Sequence, residues 1–346
     1  MKIDKYNISP QDPTFIVAEI GANHNNDLEL IKKTIDAAAE CGVNAVKFQT
    51  YTSQELLSDY ERLITYGDEK PITEPIGEMF DKLSLKREWH EEIFEYANNK
   101  GLVAFSTPFS IDGASFLNDL NVPCFKIAAS DVNFLKMLDY IGSLNKPVML
   151  SLGKCTIAEA DEAINTLEKA GCSDFVIMHC VAQYPSPMED MNLRIIETLK
   201  LQYPDKVIGF SDHTTGITAA IGAVVLGARV IEKHFTLDKE LEGPDHWFSM
   251  DPTEMKALVS AIRDIEIALG SSRKRVAKSE IKERDTSIRS IVLNKDLICG
   301  DKISENDLKF TRPGWGIAPS DLEKIIGLKV NQGLSKNTVL EWKYFK

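Results

Sequence analysis

What this sequence lacks narrows its chemistry first. Its six cysteines, Cys41, Cys124, Cys155, Cys172, Cys180 and Cys299, form no C-x-x-C pair. Neither a thiolate zinc cluster nor a dithiol redox motif is therefore written into it. Most of these cysteines sit in apolar runs, where the residue acts as a small hydrophobe, a usage that suits a reducing compartment. No apolar run approaches the ~20 residues that span a bilayer. The opening MKIDKYNISPQDP carries no apolar signal core, so the expectation is a cytoplasmic protein with no membrane partner. Lys and Arg form no long block, and the net charge is −12, which argues against a nucleic-acid partner. No G-x-G-x-x-G follows the first strand-like run, against dinucleotide binding. WHEEIF begins like H-E-x-x-H, but Phe94 stands where the second histidine belongs.

What is present is a repeated unit: a short apolar run, a polar end, then a helical pattern. The runs are FIVAE (15–19), NAVKFQ (44–49), LVAFST (102–107), CFKIA (124–128), PVMLS (147–151), FVIMHC (175–180), VIGFS (207–211) and RVIEKHF (229–235). Between them, segments such as LELIKKTIDAAAECG (28–42) and IAEADEAINTLEKAG (157–171) space their apolar residues near 3.6 and end in Gly. Eight βα units fit a (β/α)8 TIM barrel over residues 1–270; an open doubly wound sheet is the alternative. The long second connection marks residues 52–85 as an insertion on the catalytic face. Residues 271–286 read as a charged linker, and 287–346 as a small second domain of short strands and turns.

In a TIM barrel the chemistry sits at the C-terminal strand ends. Here those ends read Glu19, Lys47 with Gln49, Ser106 with Thr107, Lys126, Ser151, His179, Ser211-Asp212-His213, and Glu232 with His234. Charged residues are seldom buried without a purpose, so this recurrence points to a site. Lys47 and Lys126 with the hydroxyls of Thr107, Ser151 and Ser211 suit a phosphate or carboxylate. The plainer alternative pairs each lysine with an acid such as Glu19. His213 and His234 end successive strands, where two imidazoles plus solvent and substrate oxygens suit a labile divalent ion such as Mn²⁺. A hydrogen-bonded core histidine is the competing reading. Asp245 and His246 follow on a Gly-Pro turn, where an Asp also serves as a turn cap.

The stretches FIVAEIGANHNNDLELIKKTIDAAAECGVNAVKFQTY, FSTPF, YPSPMEDMNL, GFSDHTTG, IEKHFTLDKELEGPDH and TRPGWGI, in this order, resemble the sialic acid (nonulosonic acid) synthase family. The resemblance covers about residues 13–345, and the small domain resembles that family's antifreeze-like SAF domain. It implies condensation of phosphoenolpyruvate with an N-acetylmannosamine-type aldose to a nine-carbon 2-keto acid, with release of phosphate. N-acetylmannosamine, its 6-phosphate, and the diamino sugars that yield legionaminic or pseudaminic acids are the candidate substrates. The resemblance also implies Mn²⁺, or Mg²⁺ or Co²⁺, held by His213 and His234. It puts phosphoenolpyruvate on Lys47, Thr107, Lys126, Ser151 and Ser211, and Glu19 beside the reacting carbons. Tyr184, Asp245 and Arg312 would contact the sugar, Arg312 from the small domain of a domain-swapped homodimer. Where the family often shows Ser and some members show Asn, this chain has Ala129, with Ser130 next, and Ala182. Ser130 is taken as a further substrate-binding residue.

Overall fold

Each strand-like run becomes a strand of one sheet: β1 Phe15–Glu19, β2 Ala45–Thr50, β3 Val103–Pro108, β4 Phe125–Ile127, β5 Val148–Leu152, β6 Phe175–Cys180, β7 Val207–Asp212 and β8 Val230–His234. The structure is a computed structural model that describes residues 1–67 and 71–346. The strands pair in parallel and in chain order, and β8 returns to β1 with Val230 opposite Phe15 and His234 opposite Glu19. The sheet is a closed barrel, so the open doubly wound alternative falls. One main helix follows each strand: α1 Leu28–Cys41, α2 His90–Asn99, α3 Ile111–Asp119, α4 Leu135–Ser143, α5 Ile157–Lys169, α6 Ile195–Gln202, α7 Thr218–Leu226 and α8 Pro252–Leu269. Local signals set their ends. Asp27 caps α1 by accepting from the backbone N–H of Glu29 and Leu30, and Gly42, at φ 81°, closes it in the left-handed region.

Strand side chains alternate between the barrel interior and the helix layer. Phe15, Val17, Ala45, Val103, Phe105, Cys124, Met149, Val176, Met178 and Val230 fill the lower interior. The opposite parity, including Ile16, Ala18, Val46, Phe48, Phe125, Val148, Ile177, Phe210 and Ile231, packs beneath the helices. Each fully buried Val, Ile, Phe or Met among them contributes about 1.5–3 kcal/mol relative to exposure. An N-terminal hairpin, Lys2–Ile3 against Tyr6–Asn7, packs Ile3 and Ile8 into the lower interior cluster. That end of the barrel is stoppered by carbon, which leaves the other end for chemistry.

Residues 52–85 fold as a short helix Ser53–Leu56, a hairpin of Leu63–Tyr66 with Ile72–Pro75, and a helix Ile76–Leu83. Ile76, Met79 and Leu83 form a satellite apolar cluster with Ile64, Tyr66 and Phe80. By contacts the chain divides into units Met1–Gly270 and Ser271–Lys346. In the second unit β9 Ser290–Leu293 pairs antiparallel with β10 Leu308–Thr311 over a core that includes Ile291, Leu293, Ile303, Ile317, Ile325 and Leu340. The stretch read as a charged linker contains a helix, α9 Lys278–Ser287, with no buried residue. Among the described residues, no helix is long and apolar enough to cross a membrane.

Candidate active site

Follow the interior parity upward and carbon gives way to polar atoms toward the C-terminal ends of seven of the eight strands, while on β6 Met178 leads to Cys180. Val17 leads to Glu19, Ala45 to Lys47, Phe105 to Thr107, Cys124 to Lys126, Met149 to Ser151, Gly209 to Ser211, and Val230 to Glu232 and His234. These side chains line a cavity of about 500 Å³ together with Gln49, Tyr51, Ser130, Lys154, Tyr184, His213, Asp245 and Trp247. The sequence-predicted residues Glu19, Lys47, Thr107, Lys126, Ser130, Ser151, Tyr184, Ser211, His213, His234 and Asp245 thus share one cavity. Arg312 lies exposed in the C-terminal unit, directly after β10. Three strand-end residues face the other way. Ser106 bonds Thr50, His179 Nε2 lies 2.6 Å from the Met191 carbonyl, and Asp212 pairs with Lys233 at 2.8 Å.

On the floor, two buried ammonium groups meet two buried carboxylates. Lys47 Nζ lies 2.6 Å from Glu19 Oε2 and donates to Thr107 Oγ1 at 3.1 Å. Oε2 has that ammonium as its one close polar neighbour among the described residues. Gln49 Nε2 donates to the other oxygen, Oε1, at 3.0 Å. Gly21 makes room for this carboxylate: at φ +48° its backbone suits glycine, and a Cβ there would come within 2.7 Å of Glu19 Oε1. Lys126 Nζ lies 3.3 Å from Glu232 Oε1, which also accepts from Ser211 Oγ at 3.0 Å and sits 3.8 Å from Lys47 Nζ. The lysines are therefore matched by acids, as the plainer alternative foresaw, and they also point into the cavity, as the anion-binding reading requires.

The two carboxylates differ in character. Burial pushes the Glu19 carboxyl up; Lys47 opposes this and the charge of Glu232 adds to it. Burial also works against Glu232, but Lys126 and Lys47 outweigh it and hold that carboxyl below the usual range. Burial opposes the Lys47 charge as well, and Glu19 and Glu232 more than restore it. Asp245 is pushed up to about 7 by burial and by Glu19.

Both imidazoles are kept neutral. Burial lowers His213 to about 4, against the weaker pull of the Val181 carbonyl. Burial, His213 and the nearby lysines hold His234 well below the usual histidine range. His213 Nδ1 donates to the Val181 carbonyl at 2.8 Å, which leaves Nε2 with its lone pair. His234 Nδ1 is buried without a hydrogen-bond partner, 3.4 Å from Asp245 Oδ2. The ring centroids lie 5.4 Å apart, and Tyr184 packs on His213 at 4.3 Å and His234 at 5.7 Å. Among the described residues, no group of three or more His, Cys, Asp and Glu gathers around a point. Two neutral imidazoles with an orphaned buried nitrogen suit a divalent cation that draws its other ligands from solvent and substrate.

Glu232 and Gln49 belong to this set, although the resemblance singled out neither. Their signal was the parity: each lies two residues from an assigned neighbour on the same face. The apolar wall of Ile64, Met79, Phe80 and Leu83 comes from the insertion, which carries no such regular signal.

The NeuB family model matches residues 34–274, and the SAF domain model matches residues 288–346. The N,N'-diacetyllegionaminic acid synthase of Legionella pneumophila is 41% identical over 96% of this chain and 94% of its own. The pseudaminic acid synthase of Campylobacter jejuni serotype O:2 is 36% identical over 99% of this chain and 98% of its own. The crystal structure of the N-acetylneuraminic acid synthetase of Leptospira borgpetersenii, in complex with citrate, superposes with a TM-score of 0.74. It is 32% identical, covering 82% of this chain and 94% of that one.

Proposed function

This chain belongs to the NeuB family, and on that premise we propose that it joins phosphoenolpyruvate to a 2-acylamino hexose. The products are a nine-carbon 2-keto acid and inorganic phosphate. The observation that carries the reading is the floor of the cavity, where Lys47 and Lys126 meet the hydroxyls of Thr107, Ser151 and Ser211. That set can hold a carboxylate and a phosphate at once. Ser151 Oγ, buried with no hydrogen-bond partner among the described residues, is ready for a substrate oxygen.

The bonds balance without an outside oxidant or reductant. C3 of phosphoenolpyruvate attacks the aldehyde carbon of the open-chain sugar, and a C–C bond forms. Water adds its oxygen to C2, one of its protons reaches the former aldehyde oxygen, and the other leaves with the phosphate. The C2–O bond to phosphate then breaks, and C2 becomes the ketone. His213 and His234 would hold a divalent cation, Mn²⁺, Mg²⁺ or Co²⁺, whose charge polarises the aldehyde. Lys47 and Lys126 align the anionic groups and offset their charge. Glu19, with its carboxyl raised by burial and lining the cavity, can accept and return the travelling proton.

The apolar wall of Ile64, Met79, Phe80, Leu83 and Trp247 favours a diacylamino deoxy hexose over N-acetylmannosamine or its 6-phosphate. Acyl methyls and a deoxy carbon bury well there, and a hydroxyl or phosphate does not. The test is phosphate release from phosphoenolpyruvate with Mn²⁺ and a panel of acylamino hexoses. Release that depends on the sugar supports the reading, and a fastest rate with a diacylamino deoxy sugar supports its finer part. No release with any sugar would overturn it.

A further inference from the structure

We propose that Lys154 is a substrate-binding residue that meets the phosphate of phosphoenolpyruvate at the mouth of the cavity. The inference rests on the functional reading above and adds a cation that the sequence motifs do not single out.

Its placement is built rather than incidental. Lys154 follows β5 three residues after Ser151 and lines the same cavity. The chain at Gly153 lies flush against the cavity wall: a Cβ there would stand 2.8 Å from Ala129 Cβ, 3.2 Å from Cys180 Sγ and 3.3 Å from Ala182 Cβ. Lys154 itself has φ +56°. A non-glycine residue in that region costs on the order of 1–3 kcal/mol and persists only where its surroundings hold it. That backbone presents the side chain to solvent at the rim. Among the described residues it has no salt-bridge or hydrogen-bond partner.

The charge count makes this cation matter. On the floor, Lys47 and Lys126 are matched by Glu19 and Glu232, so four buried charges sum to zero. The substrate brings a carboxylate and a phosphate, the latter about −1.5 to −2 on its own. Beside the floor, Ala128, Ala129 and Ala182 offer no polar side chain. Lys154 is a cation on this rim that carries no matching acid. A solvated charge at an entrance acts on capture and affinity more than on the chemical step.

The experiment compares wild type with Lys154→Ala and Lys154→Arg by steady-state kinetics at low and moderate salt, with inorganic phosphate as a product inhibitor. The Lys154→Ala enzyme should show a KM for phosphoenolpyruvate raised roughly three- to ten-fold, weaker inhibition by phosphate, and a flatter salt response. Its sugar KM and its kcat at saturation should move by less than about two-fold, and Lys154→Arg should restore the phosphoenolpyruvate KM. An unchanged phosphoenolpyruvate KM and salt response in Lys154→Ala would overturn the inference alone. An equal loss in kcat and both KM values, not rescued by arginine, would overturn it too, as the mark of a structural role. A wild-type enzyme that turns over no phosphoenolpyruvate would overturn the functional reading and this inference with it.

Discussion

Lys47 and Glu19 meet at 2.6 Å inside the barrel mouth, and the contact serves both residues. Glu19 keeps the buried ammonium charged, and the ammonium keeps the buried carboxylate within reach of a proton exchange. A first prediction follows from the sign of that charge. Glu19→Gln preserves the shape and removes the proton carrier, so kcat should fall by about 10²–10⁴-fold. The KM for phosphoenolpyruvate should hold or fall, because Lys47 loses its competitor. Steady-state kinetics decides: a rise in KM with kcat retained would show Glu19 to be scaffolding.

The paired imidazoles carry the second prediction. His213→Ala or His234→Ala should weaken Mn²⁺ binding by at least about ten-fold and remove most turnover. Circular dichroism should show the barrel kept. Calorimetric titration with Mn²⁺ reads the affinity apart from activity. Wild-type Mn²⁺ binding in both variants, with turnover surviving a chelator, would make these histidines core residues.

Oxygen labelling tests the order of bonds. In ¹⁸O-water the label should enter the keto acid at C2, and the released phosphate should stay unlabelled. Mass spectrometry that finds the label in phosphate would mean P–O cleavage and a different role for the cavity floor.

Acid should unfold this protein through its structural histidines. Burial lowers His24 and His90 to about 4, and both lie in the barrel unit. Their usual value in an unfolded chain is near 6.5, so the unfolded state binds more protons below that pH. Their contribution is whole above about pH 6.5 and is lost as pH falls through 4, up to roughly 3 kcal/mol each. Urea midpoints should therefore drop from pH 7 to pH 4. In His90→Gln, whose amide can still face Thr50, the drop should be shallower. A flat profile in the wild type would show that these rings titrate normally in the fold.

Most of the barrel could be read in the chain, for a physical reason. Parallel strands buried on both faces need continuous apolar runs, and a run such as FIVAE or PVMLS has few other uses. The strand ends were legible because Lys47, Lys126 and Glu232 are costly to bury, so their recurrence at one position has a cause. Orientation was harder. His179 and Ser106 look like site residues in the list of strand ends, yet one residue of parity sends them outward. The hairpin Leu63–Tyr66 and Ile72–Pro75 stayed hidden, since two short strands in an insertion give no period to count. Helix α9 stayed hidden for the opposite reason: with no buried residue it has no apolar stripe to betray it.

The alternation on β8 has one more effect, on how the barrel finds its own alignment. Glu232 and His234 face inward, while Lys233 between them faces outward onto Asp212 and Thr214. Slide that strand by one residue and every charge changes sides. Lys233 would enter the mouth, Glu232 would be pressed against the helix layer, and Asp212 would lose its cation. Each stranded charge would cost several kcal/mol, a penalty added to the repacking that any slip of a buried strand exacts. The groups that make the mouth reactive therefore also act as the teeth of a ratchet. Replacing them with carbon would remove that penalty and the chemistry by the same substitutions.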